Sequence, residues 1–368
     1  LTDLALIGSP AVLDALEVSP DPLLSLNVYC AGRLSEVIQR AVAPFRERAR
    51  ELEESEGVYT WTMRYAKCGE HLKIRVHGPE GRRDALAGML GETAQAYLSS
   101  LPPADPEAPR KSREFATPVD REDRASTDYP DRTWLWTAYE RSHISLGYRP
   151  YLNDDGYVGR LTRCLGRGLE ILSGRIETDA QGRWSHQAQQ AILLRALIAG
   201  LSGLSFSPTQ RSLYLLYHRD CLLRGILKQA GSTGGPKKLE ETLDRFRVQV
   251  EKLGAGAAKL GETAHLQWDG AGDWERDLEA WRRSLSGLAD YLSPICGDLA
   301  HHIDPFAEVP LFPPLFKAFH GFANQVGLSP LNEAFAYHLL LSVTTGDEIR
   351  DRPVRLKPQL DDSEGEIA

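Results

Sequence analysis

The chain has 368 residues, 42% of them hydrophobic and 26% charged, with a formal net charge of −8. That length allows two ordinary domains, or one large domain with an insertion, and a sizeable core; the composition excludes a disordered, collagen-like or disulfide-scaffold chain. The acidic balance argues against a bulk binder of nucleic acid or anionic membrane, because both need a basic field.

The first third alternates strand and helix signals. LSLNVYC (24–30) puts Leu24, Leu26, Val28 and Cys30 on one face, and an amphipathic helix follows over about 35–53. VYTWTMRY (58–65) and HLKIRVHG (71–78) alternate again, and the link Lys67–Glu70 suits a hairpin. A second helix is expected over about 81–100. Residues 101–131 are rich in Pro, Ala, Asp and Arg without period and read as a loop, and RTWLWTAYE (132–140) reads as the next strand. The order βαββαβ is a ferredoxin-like split within an α+β fold. From 151 onward the period is helical, with helices expected over 154–173, 186–203, 208–229, 237–263, 271–292, 312–326 and 329–344. The expected divisions are an α/β part (1–150), a helical part (151–345) and an acidic tail (346–368).

Several signals are missing. There is no GxGxxG after a strand, no GxxxxGK[ST], no HExxH and no GxSxG. The five cysteines are far apart with no CxxC, and His301-His302 has no companion at metal-ligand spacing. An enzyme here would work without nucleotide, flavin or metal, through acid–base groups and substrate positioning. No apolar run approaches the roughly 18–20 residues of a membrane span. The N-terminal stretch carries Asp3, Asp14, Glu17 and Asp21 and no basic region, so no signal peptide is expected, and the cytoplasm is the expected compartment.

Four constellations could carry chemistry. If Ala66 pairs with His71, then Arg64 lies opposite Lys73 and Thr62 opposite Arg75, crowding three cations that an anion or dipolar ligand would relieve; a solvated face with nearby acids is the alternative. At the exit of the strand ending near 140, Tyr139, Glu140, Arg141, Ser142 and His143 occur together, while Asp154 and Asp155 read as N-cap and first-turn acids of the next helix. In DWERDLEAWRRSLSGLADYL, Trp274, Leu278, Trp281, Leu285, Leu288 and Leu292 form an apolar stripe. Ser284 and Tyr291 flank it with Gly287 on the same side, two hydroxyls suited to proton shuttling or simply a half-buried boundary. Finally, His320 and Asn324 share a helix face, and Ser329 reads as the cap of the next helix with Asn332 at the capping-box position.

Together these segments resemble a known family. Arg64-Tyr65 followed by HLKIRVHG is similar to the "RY … HLRLR(F)" hairpin of the C-terminal elimination domain of class I lanthipeptide dehydratases, stand-alone copies of which occur in thiopeptide biosynthesis clusters. The resemblance extends over about 24–345. It includes Tyr139-Glu140-Arg141 and an "H…N…G…E" segment formed by His320, Asn324, Gly327 and Glu333. It implies a ferredoxin-like part with a mostly helical C-terminal part. In the elimination branch two arginines and a histidine, here Arg64, Arg75 and His320, remove glutamate from glutamylated Ser or Thr. In the other branch, thiopeptide pyridine synthases join two dehydroalanines of one peptide by a formal [4+2] aza-cycloaddition, losing water and the leader.

Two departures favour the pyridine synthase branch: Glu140-Arg141-Ser142-His143-Ile144 replaces "ERYGG", and Asn324-Gln325 replaces "NR". By helical phase and side-chain chemistry, Tyr291, Ser284, His320 and Glu140 are the expected proton-handling residues of such a reaction. Arg64, Arg75, Lys73, Trp281 and Asn324 become substrate contacts. No cofactor is implied, and the partner is a modified precursor peptide with leader and dehydroalanines, with no nucleic acid or membrane; a homodimer is left open. The competing readings are a stand-alone glutamate eliminase and a non-catalytic precursor-peptide-binding module.

Overall fold

The computed structural model describes residues 23–56, 58–65, 70–78, 80–102, 131–136, 155–180, 182–229, 235–257, 273–297 and 312–344. The strands are β1 (Leu23–Tyr29), β2 (Tyr59–Tyr65), β3 (His71–His77) and β4 (Thr133–Trp136). Helix α1 covers 34–56 and contains a π-helical segment, Ile38–Val42. Helix α2 is Arg83–Ser100, after a short 3-10 turn, Glu80–Arg82. Then come α3 (Asp155–Ser173), α4 (His186–Gly203), α5 (Pro208–Gln229), α6 (Gly235–Leu253), α7 (Asp273–Gly297), α8 (Phe312–Val326) and α9 (Pro330–Thr344).

The sheet is antiparallel with strand order β2-β3-β1-β4. β3 therefore lies between β1 and β2, and β1 between β3 and β4, which is the split βαβ arrangement expected from the sequence. Alternation assigns the faces. Leu24, Leu26 and Val28 of β1, Leu72, Ile74 and Val76 of β3, and Trp134 and Trp136 of β4 share one face and are buried. Trp134 of this face meets α2, its indole N–H donating to Gln95 Oε1 at 2.9 Å.

The β2–β3 register is the first correction. Tyr65, not Ala66, pairs with His71, so Arg64 stands opposite Leu72, Met63 opposite Lys73 and Trp61 opposite Arg75. A slip of one residue moves every side chain to the other face. Arg64 therefore lies on the face of Leu72 and Ile74, away from Lys73 and Arg75. The second face carries Tyr59, Trp61, Met63, Tyr65, His71, Lys73, Arg75 and His77 from the hairpin and Ser25, Asn27 and Tyr29 from β1.

The described elements group into two compact units. The first joins the sheet, α1 to α4, α7 and α8; the second holds α5, α6 and α9. This differs from a division at residue 150: α3 and α8 pack on β2, and α4 and α7 join the same unit by packing on those helices. Helix α3 lies close along β2: a Cβ at Gly166 would stand 3.4 Å from the Thr60 carbonyl oxygen. Helix α8 is knitted to α3 by buried Gln325, whose Nε2 donates to the Leu165 carbonyl at 3.1 Å. In the second unit α9 packs on α5, with His218 between the rings of Tyr214 (4.1 Å) and Tyr337 (4.8 Å). Burial holds both phenols well above their usual range. Ser329 caps α9 as expected, accepting from the Asn332 N–H at 3.3 Å. No helix among the described residues is long and apolar enough to cross a membrane.

Candidate functional site

The C-terminus of α8 explains Arg64. Leu328 N–H donates to the Ala323 carbonyl (3.2 Å) and Gly327 N–H to the Asn324 carbonyl (3.0 Å), a Schellman closure with Gly327 at φ 93°. The next carbonyl, of Gln325, accepts from Arg64 Nε (3.3 Å) and Nη2 (3.2 Å), and Nη2 also donates to Ser35 Oγ at 2.9 Å. A cation at a helix C-terminus is favourably placed against the helix dipole. Burial lowers the Arg64 guanidinium to about 10, partly opposed by Glu70, so it remains charged at neutral pH.

Asn324 completes the junction. Its Oδ1 accepts from Arg64 N–H at 2.7 Å and its Nδ2 donates to Arg64 O at 3.4 Å. The side-chain amide thus occupies the edge of β2 as a peptide group of another strand would. Arg64 and Asn324, read from the sequence as substrate contacts, are joined to each other and hold α8 against the sheet. A Cβ at Gly327 would stand 2.7 Å from Arg64 Cζ. Gly327→Ala is therefore expected to destabilise by about 1–3 kcal/mol, from the left-handed backbone and displacement of the guanidinium; thermal denaturation checks it.

From that junction α8 runs along β2. Asn324 to Lys317 is seven residues, about 10.5 Å of helix rise. Arg64 to Trp61 is three residues, about 10 Å of strand. Lys317 thereby arrives at the Trp61–Arg75 row, and its ammonium feels the Arg75 charge. His320 falls between, half-buried, its ring stacked on Phe316 at 5.2 Å. Arg75 is 3% exposed, and its Nη1 donates to Met63 Sδ at 3.2 Å. Lys73 Nζ lies 4.3 Å above the Tyr65 ring centroid. Burial first, and Arg75 second, lower the Lys317 ammonium below the usual lysine range.

The same face continues toward α3. Arg163 donates from Nε (3.1 Å) and Nη2 (2.8 Å) to the Tyr59 hydroxyl, and Tyr59 stacks on His77 at 6.5 Å. One turn earlier, the Arg160 guanidinium lies 4.2 Å from the Tyr291 ring centroid. A Cβ at Gly156 would stand 2.6 Å from the Tyr291 hydroxyl, so the phenol rests on the first turn of α3. The result is a strip of cations and rings: Tyr291, Arg160, Arg163, Tyr59, then Arg75 with Lys317 and His320. Arg64 lies off the strip, on the other side of the sheet. Tyr291 is separated from the α8 junction by the nine residues between Gly156 and Leu165, about 14 Å of helix rise.

Two further sequence candidates change character. Trp281 is fully buried, donates from Nε1 to the Ala196 carbonyl at 3.0 Å, and meets Phe319 edge-on at 5.8 Å and Phe322 at 5.2 Å. It fills the core and offers no face to a ligand. Ser284 Oγ donates to the Trp281 carbonyl at 2.8 Å and lies beside buried Cys164, whose thiol burial pushes up to about 12. Ser284 and Tyr291 do share one flank of α7, and that flank faces α3. Glu140, with Tyr139 and His143, lies outside the described residues, as do His301-His302 and the side chain of Trp274. Among the described residues no group of three or more His, Cys, Asp or Glu is placed to hold a metal ion.

Lys317, Arg160 and Arg163 were not singled out from the sequence. Lys317 sits one turn before His320, and Arg160 and Arg163 lie on the polar side of a strongly amphipathic helix. Helical phase marks such residues only as solvated, and their gathering depends on how α3 and α8 meet the sheet.

No protein-family model and no curated protein matches the chain. Solved structures do. The chain is 17% identical to the pyridine synthase TbtD from thiomuracin biosynthesis, with a TM-score of 0.55, over 88% of this chain and 98% of that one. It also matches TsrL (13% identity, TM-score 0.49, 90% of this chain and 96% of that one). A third match is the tRNA-dependent lantibiotic dehydratase MibB from Microbispora sp. 107891 (14% identity, TM-score 0.42), over 90% of this chain and 28% of that one. The fold is thus shared with a pyridine synthase over nearly that protein's whole length.

Proposed function

We propose that this chain is a peptide-modifying enzyme of the pyridine synthase type. It would act on a ribosomally made precursor peptide that carries a leader and two dehydroalanines. The observation that carries the reading is the fold shared with a pyridine synthase across 98% of that chain, with no large part of that architecture missing. The cation-and-ring strip supports it, since a modified peptide rich in flat rings needs stacking surfaces and groups that hold its carbonyls.

The reaction proposed is redox-neutral. The amide preceding one dehydroalanine tautomerises to an iminol, giving a 2-azadiene. Two carbon–carbon bonds form to the second dehydroalanine and close a hydroxylated six-membered ring. Loss of water, then of the leader as its carboxamide, leaves the pyridine. Holding two remote alkenes in contact can supply roughly 7–11 kcal/mol when fully exploited. Arg75 would hold the amide oxygen as charge develops. His320, one turn from Lys317, would move the proton to or from it, and Glu140 keeps its proposed part in the loss of water. Tyr291, at the far end of the strip, is the better placed of the two α7 hydroxyls, because the Ser284 hydroxyl already donates to Trp281.

The glutamate eliminase reading draws on Arg64, Arg75 and His320 acting together. It is weakened by the position of Arg64, whose guanidinium is taken by the Gln325 carbonyl and Ser35. Mass spectrometry of the purified protein with a bis-dehydroalanine precursor peptide is the test. A mass loss equal to water plus leader carboxamide, with pyridine absorbance, is expected. Glutamate release from a glutamylated peptide would replace this reading with the eliminase, and binding without any mass change would replace it with a peptide-delivery module.

A further inference from the structure

We propose that Arg160 and Arg163 on α3 form a docking site for an acidic stretch of peptide, two carboxylates of which seat on the two guanidiniums. That the stretch belongs to the modified precursor rests on the function proposed above; an acidic peptide as the ligand does not.

Three observations lead there. The first is that both cations stand exposed and neither meets an acid among the described residues. Elsewhere on the surface arginines sit against carboxylates: Arg48 with Glu92 at 3.0 Å, Arg167 with Glu170 at 2.6 Å, Arg183 with Asp179 at 3.0 Å and Arg283 with Glu279 at 2.7 Å. Arg160 and Arg163, one turn apart on one face of α3, lie instead against Tyr291 and Tyr59.

The second is what those rings do. A mobile arginine loses much rotamer freedom when it takes a partner. Here the Arg160 guanidinium lies 4.2 Å from the Tyr291 ring centroid, and Arg163 makes two hydrogen bonds to the Tyr59 hydroxyl, so both forks are held before a partner arrives. The third is which donors remain. Arg163 spends Nε and one N–H of Nη2 on Tyr59, leaving its Nη1–Nη2 edge, while Arg160 spends Nη1 on the Gly156 carbonyl at 3.1 Å, leaving its Nε–Nη2 edge. Each unused edge presents two parallel N–H groups, the fork that takes a carboxylate in bidentate fashion. Gly159, one turn before Arg163, leaves room for the approach, since a Cβ there would meet no atom of the described residues within 4 Å.

Charge complementarity selects the occupant. The chain has a net charge of −8, so an acidic peptide is repelled by most of its surface and drawn to this pair. Nucleic acid needs a wider basic field than two arginines. The pair adjoins Tyr291, so a peptide anchored there enters the strip from a fixed end.

The deciding experiment is fluorescence anisotropy of the full chain with a rhodamine-labelled octapeptide of alternating Glu and Ser, against its Gln–Ser counterpart. The Glu peptide should bind about tenfold more tightly, and raising salt to about 0.5 M should remove most of the difference. Arg160→Gln and Arg163→Gln should each weaken it about threefold, the scale of an exposed pair, and together about tenfold. The double reversal Arg160→Glu with Arg163→Glu should lose the Glu peptide and gain a Lys–Ser peptide, a swap that misfolding does not produce. Equal affinity for the Glu and Gln peptides, or for the Glu peptide in parent and reversed chains, overturns the docking site. About tenfold tighter binding after removal of residues 361–368 would replace the precursor with the chain's own Asp361, Asp362, Glu364 and Glu366 as occupant. Displacement of the Glu peptide by a thymidine octanucleotide at lower concentration than by unlabelled Glu peptide would hand the site to nucleic acid. These arms need no turnover. In the mass-spectrometric assay, Arg163→Gln should raise KM about threefold at unchanged kcat for a bis-dehydroalanine peptide extended by the Glu–Ser octapeptide. An unchanged KM overturns the assignment to the precursor, whereas absence of turnover in the parent sinks the proposed function and leaves the anisotropy result standing.

Discussion

Trp281→Ala is expected to destabilise the protein by about 4–6 kcal/mol. Deleting a buried tryptophan side chain costs about 3–5 kcal/mol through lost transfer free energy and the cavity left behind. Loss of the hydrogen bond to the Ala196 carbonyl adds about 1 kcal/mol. Local collapse cannot recover much of this, because α4, α7 and α8 already meet closely there: a Cβ at Gly200 would stand 2.6 Å from Leu285 Cδ1 and 2.8 Å from Phe319. At roughly 2–4 °C per kcal/mol for chains of 150–250 residues, the melting temperature should fall by about 10 °C. Trp281→Phe, which keeps most of the ring, should lose about 1–2 kcal/mol. A tryptophan serving a substrate would behave otherwise: its truncation would raise KM and leave the melting temperature nearly alone. That second pattern would return Trp281 to the binding surface and sink its place in the core.

Trp281 also shows what the sequence could and could not tell. Its stripe with Leu278, Leu285, Leu288 and Leu292 announced a helix with an apolar face, and those residues are buried. Periodicity gave helices α4, α5 and α8 with the bounds later observed, because caps and breakers stand where the apolar repeat stops. The element order βαββαβ also pointed to a split βαβ sheet, since such units admit few topologies. What periodicity cannot give is which apolar face meets which. Hence a surface role for a core tryptophan.

The hairpin was a sharper failure with a smaller cause. Arg64 and Arg75 were placed on one face by a register wrong by a single residue, and the alternation of VYTWTMRY fits either register until the loop is known. The signal in the sequence that separates the two arginines is Gly327. A glycine just past the last apolar position of α8 signals a helix terminus with left-handed backbone. A helix terminus in turn needs partners for its last carbonyls. Arg64 is such a partner, and this role required no ligand.

Arg75→Met should cost turnover far more than the loss of Arg64 does. Arg75 is buried between Trp61 and Ser25 on neighbouring strands, and methionine approaches its length without its charge. Methionine strips the partners of Arg75, Met63 Sδ among them, of their donor, a cost offset in part by relief of the repulsion on Lys317, so the melting temperature should fall by only a few degrees. Turnover of a bis-dehydroalanine peptide should nevertheless fall by about 10²–10³-fold, the usual cost of removing one preorganised donor from a developing oxyanion. The loss should appear in kcat more than in KM if Arg75 acts mainly on charge that grows in the transition state. Arg75→Lys keeps the charge but not the fork, and should fall between. Arg64→Met, measured alongside, should lower the melting temperature further, because it strips the Gln325 carbonyl and Ser35 of their donor. Retention of turnover within about threefold in Arg75→Met, below any sizeable transition-state contribution, would remove the second face of the sheet as the seat of chemistry. The reaction would then belong to the Tyr291 end of the strip.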